Sequence, residues 1–190
     1  MTEKYVRVAG IMAVGEMIPG FVLAKREHMK VIEVPLSKSV LKGLEQQASG
    51  QGVAIEAVAA EALLKGLEII DPPQEVAHYK EIADHFFAEA QELLPQGDLI
   101  QASEKFWGAA VQMVKAVAAK AGRELQSHGQ LHRFATDLSS QEDDPEIRRL
   151  FSVANALHQN FYEHWLDAET VQTYGQEVGQ LVEKLGKLLS

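Results

Sequence analysis

The sequence predicts a mainly helical protein: an up-down bundle of five helices preceded by a small strand-helix-helix unit. Three observations carry this. Beyond Asp71-Pro72-Pro73, apolar residues recur at three- and four-residue steps almost without a break, the period of amphipathic helices. Before it, Ile32, Val34 and Leu36 alternate with Glu33 and Pro35, the period of one short strand. The composition is that of a globular chain: 190 residues, 46% hydrophobic and 24% charged. A chain of this length removes roughly 70% of its unfolded surface from water on folding, enough for a real core.

Residues 1–29 read as an N-terminal extension, either a short hairpin or a segment upstream of an ancestral start at Met29. The hairpin would pair Tyr5–Met12 with Phe21–Lys25 around a Gly/Pro turn. Residues 30–70 form the strand-led unit. Ser37 offers a helix N-cap, and Val40, Leu41 and Leu44 carry helical spacing to about Ala48. Gly50 and Gly52 break the chain, and Val53, Ala57, Val58, Ala62 and Leu63 make a second helix. Such a unit has too little core to stand alone, so a two-fold homodimer is expected.

Residues 71–190 hold the five helices. Proline opens the first, which runs to Leu94 with Val76, Tyr79, Ile82, Ala83, Phe86 and Phe87 inward. Pro95-Gln96-Gly97-Asp98 is a turn, and Asp98 caps the second helix, Leu99–Ala121, which Gly122 ends. Ser127 caps the third helix, Asp144-Pro145 opens the fourth, and Asp167 caps the fifth. Short loops favour antiparallel neighbours.

The net charge is −9, and all of it lies late in the chain. Residues 1–70 hold eight basic and eight acidic residues, whereas residues 71–190 hold ten against nineteen. An acidic surface repels phosphate backbones and argues against a general nucleic-acid coat. No cysteine is present, so disulfides, thiolate metal sites and cysteine nucleophiles are excluded, and a cytoplasmic address fits. The apolar stretch Tyr5–Ala24 is broken by Arg7, Glu16 and Pro19 and reads as neither a membrane span nor a signal peptide. There is no phosphate loop and no GxSxG nucleophile motif.

The densest polar cluster is on the fourth helix. Asn155, His158, Gln159 and Tyr162 share a flank, with Asn160, Arg148 and Arg149 on the same helix. His158, with an ordinary pKa near 6.5, is the candidate general acid or base, and the others are candidate ligand-binding residues. The competing reading makes His158 a hydrogen-bonded core residue and Asn155 and Asn160 capping contacts between helices. No metal is expected. His128 and His132 share a face but lack a third ligand, and His85 lacks the Glu-x-x-His pairing of bundle metal sites. Trp107 reads as core, with Gly108 beside it for close helix packing.

From Gly97 onward, ASEKFWGAAVQMVKA, SHGQLHRFATDL and ALHQNFYE resemble the PaREP family of archaeal paralogous proteins over about residues 72–189. That family is similar to HEPN domains, helical bundles that commonly pair as dimers, some of them metal-independent ribonucleases. The HEPN motif sets four to six residues between arginine and histidine. Here Arg148 and Arg149 stand ten and nine positions before His158. The resemblance thus implies a HEPN-like bundle whose cleavage motif is broken. IEVPLSKSVLKGL and GVAIEAVAAEALLKGL resemble a ribbon-helix-helix module, which places Val31, Glu33 and Pro35 where base-reading side chains would be. None of these is a donor to guanine or adenine, and Ala54 replaces the usual phosphate-contacting hydroxyl.

The favoured reading is therefore a non-catalytic homodimer that binds a nucleotide, an RNA segment or a protein partner, without a cofactor. The alternatives are a HEPN-type ribonuclease using His158 and a DNA-binding regulator acting through residues 30–68.

Overall fold

The computed structural model describes residues 6–8, 32–34, 36–66 and 72–190. The hairpin expected over Tyr5–Met12 and Phe21–Lys25 lies largely outside them, as do Val31, Pro35 and the side chain of Glu33. Among the described residues are seven α-helices: α1 (Lys38–Gln51), α2 (Ile55–Gly66), α3 (Pro72–Leu93), α4 (Leu99–Lys120), α5 (His128–Gln141), α6 (Pro145–Glu163) and α7 (Ala168–Lys187). Among the described residues, extended structure is confined to one antiparallel ladder of three-residue strands, β1 (Val6–Val8) on β2 (Ile32–Val34).

This corrects the expected five-helix bundle behind a strand-led unit. Among the described residues the architecture is helical apart from that short ladder, with seven helices that share one core rather than five packed helices and a separate strand module. The physical reason is a shared core. Gly52 closes α1 in the left-handed conformation (φ 64°), as its place between two helices predicts, and its carbonyl also accepts the indole N–H of Trp107 in α4. Ala48, Val53, Ala57 and Val58 then bury their side chains in the same core as the later helices.

Local chemistry sets the helix starts. Ser37, Asp98, Ser127, Asp144 and Asp167 each accept a backbone N–H from the first turn of α1, α4, α5, α6 and α7 respectively. Pro145 occupies the first turn of α6, where a missing N–H costs nothing.

α4 is the central helix. Every residue from Ala102 to Ala119 except Lys105 is buried, and α3, α5, α6 and α7 all pack on it. α3 and α4 form a hairpin through a short 3-10 turn, Leu94–Gln96. Small residues let aromatic rings close on neighbouring backbones. A Cβ on Gly108 would come within 2.8 Å of Phe86, as the sequence reading of close packing anticipates. On α7, Cβ atoms on Gly175 and Gly179 would reach 2.5 Å from Phe106 and 2.9 Å from Phe87. Those two rings meet edge to face at 5.4 Å, so α3, α4 and α7 lock together over one turn.

Candidate functional site

His158 faces inward from α6 toward α4. Its imidazole is 9% exposed and lies stacked on the fully buried Trp107, ring centres 5.0 Å apart. Its Nδ1 is 3.2 Å from Oε2 of Glu104, one turn before Trp107 on α4. A carboxylate only accepts, so Nδ1–H is the donor in this contact.

Two more histidines reach the same indole. Ser127 starts α5 so that His128 and His132 fall on one face; their rings lie 5.3 and 6.4 Å from Trp107. His128 is 4.8 Å from His158. Burial lowers the pKa of His128, and the nearby His158 and His132 push it in the same direction. Gly52 closes the cluster from the α1–α2 junction, so near that a Cβ would overlap the His128 ring. Tyr162 meets His158 edge-on at 5.2 Å and points to solvent. Burial raises its phenol pKa, and the charge of Glu104 adds to the effect.

The structure separates the remaining candidates. Asn155 Oδ1 accepts from Nε2 of His132 at 3.2 Å, so Asn155 joins the rim of the cluster. Asn160 is 1% exposed: its amide donates to Ser103 Oγ at 2.9 Å, while Oδ1 accepts the backbone N–H groups of Trp165 and Leu166 at 2.9 and 2.7 Å. All its strong partners are internal. Gln159 and Arg148 face solvent. Arg149 bonds Glu146 on its own helix and Glu177 on α7, pairings that raise its pKa in that order. Neither arginine is brought to His158.

Sequence reasoning missed Glu104 and the gathering of His128 and His132 around Trp107. Glu104 and His158 are 54 positions apart, and no local pattern links them. It also missed a second buried charge on α4. Lys115 is 4% exposed and donates to Glu61 Oε2 (2.8 Å) and Gln51 Oε1 (3.2 Å). Lys65 bridges Glu61 and Glu124, and the Glu124 bond contributes most to raising its pKa. Beside them is a cavity of about 300 Å³ lined by Gln47, Gly50, Gln51, Glu61, Lys65 and Gln126. Among the described residues, no three His, Asp or Glu side chains converge as a metal site requires.

The profile of the archaeal PaREP1/PaREP8 family matches residues 78–182, more than half of the chain. The chain belongs to that family. The matched span runs from the first turns of α3 almost to the end of α7 and includes Glu104, Trp107, His128, His132 and His158. Among solved structures, the PaREP chain is similar to a protein from Sulfolobus solfataricus known from its crystal structure. The two are 28% identical, with a TM-score of 0.52, over 57% of this chain and 97% of the other. No curated protein matches. No helix among the described residues is long and apolar enough to cross a membrane.

Proposed function

We propose that this PaREP protein acts by binding a protein partner, as a homodimer, and does not cut RNA. One observation carries the reading: His158 is invested in the fold. Its Nδ1 is on Glu104 and its ring is packed against Trp107, and among the described residues no arginine pairs with it to stabilise a phosphorane-like charge. A ribonuclease of the HEPN type needs both groups at one phosphate. The net charge of −9 supports a protein rather than a polyanionic partner. The exposed side chains of Val40 on α1 and Leu63 on α2 support self-association at the N-terminal end.

The test is a metal-free cleavage assay on single-stranded and structured RNA, comparing the parent with His158→Ala. Neither protein should cut. Cleavage by the parent that the variant loses would establish the ribonuclease instead, and light scattering at 20.9 kDa in dilute solution would remove the homodimer.

A further inference from the structure

The C-terminal end of α6 and the turn after it present two aromatic side chains to water on a rigid mount. Tyr162 is 61% and Trp165 56% exposed, and they are the only large apolar side chains so exposed among the described residues of α3–α7. Burying apolar surface of this size would ordinarily stabilise a monomer, so the fold leaves it open at a cost.

The mount is specific. His164 takes the left-handed conformation (φ 55°) and its ring lies against the carbonyl of Phe161. Asn160, buried beneath, accepts both Trp165 N–H and Leu166 N–H and is anchored to Ser103 on α4. A buried amide with three bonds fixes the turn, and the turn fixes where Trp165 emerges. Tyr162 is held from two sides, edge-on to His158 and to Phe161 at 5.2 and 5.0 Å. Rigid aromatic anchors lose little entropy on binding, which is why Tyr and Trp dominate the energetics of interfaces.

The surrounding charge identifies the occupant. Glu163, Asp167 and Glu169 are all exposed around the aromatics. No lysine or arginine occurs between Arg149 and Lys184. The negative end of the α6 dipole lies at the same place. An acidic rim around exposed indole and phenol rings favours cations, which gain both Coulomb attraction and a ring face to sit on.

We propose that Tyr162 and Trp165 form a docking surface for an arginine-bearing segment of a partner protein, with Glu163 and Glu169 as its charged rim. This deepens the binding role proposed above, and the RNA cleavage assay tests that role separately. The probe is a peptide of alternating arginine and glycine, titrated into the full chain at physiological salt and followed by calorimetry. The outcome expected is saturable binding that weakens about tenfold or more in Trp165→Ala and in the double reversal Glu163→Lys/Glu169→Lys, with unchanged circular dichroism. A glutamate-glycine peptide should not bind. Absence of binding, or binding that Trp165→Ala leaves unchanged, would overturn the surface. So would Trp165-dependent binding of single-stranded RNA in place of the peptide, or a loss of self-association in Trp165→Ala.

Discussion

α4 buries two ionisable side chains, Glu104 near its start and Lys115 three turns later, and they serve different ends. Glu104 lies where α4 and α6 already pack closely, with Trp107 of α4 against Phe151 of α6 at 5.3 Å. Its hydrogen bond to His158 orients a ring within a contact that hydrophobic burial would hold anyway. Lys115 lies where the bundle meets α1 and α2. There the ties are Lys115 to Glu61 and Gln51, Lys65 to Glu124, and Trp107 to Gly52. A buried pair inside an apolar contact sets geometry; one at this seam adds to the burial of Ala48, Val53, Ala57 and Val58 in holding α1 and α2 to the bundle.

The largest effect should follow from breaking the seam. Lys115→Met leaves Glu61 and Gln51 without their buried cation, at about 3 kcal/mol if the loss is typical of a broken buried pair. Hydrogen exchange should then speed up across α1 and α2 while α3–α7 stay protected; equal loss throughout would mean that the two regions melt as one. Glu104→Gln should cost less, about 1 kcal/mol, because the amide oxygen still accepts from His158. A thermal melt showing Glu104→Gln to be the worse variant would reverse the comparison.

The smallest effect is one of pH. Burial holds the His128 pKa below its ordinary value, and His78 is lowered for the same first reason. As pH falls through about 6.5 the unfolded chain takes up these protons before the folded one does. Stability is therefore full above that pH and declines below it, until the folded rings also protonate. Denaturation midpoints between pH 7 and 5 should fall, and His128→Asn should make that slope shallower.

The parts legible in the sequence were local. Ser37, Asp98, Ser127, Asp144 and Asp167 cap helices because a side-chain oxygen three residues or fewer from an unpaired N–H acts within one turn. Gly52 is legible as the end of a helix, but only Trp107, 55 positions later, reveals its carbonyl as a partner for the bundle, so the strand-led unit read as separate. The candidate residues divided for the same reason. His158 and Asn155 converge on other histidines, but Asn160 looks equally available in sequence and is consumed by Ser103, Trp165 and Leu166.

The wedge of Phe87 and Phe106 against Gly179 and Gly175 has a consequence in time. A phenyl ring turns over by sweeping its edges through its own thickness, and here a helix backbone occupies that path. The half-turn requires α7 to draw back from α3 and α4 together. The two rings are thus clocks for the breathing of the bundle: their edges exchange in a magnetic resonance spectrum only as often as the last helix lifts.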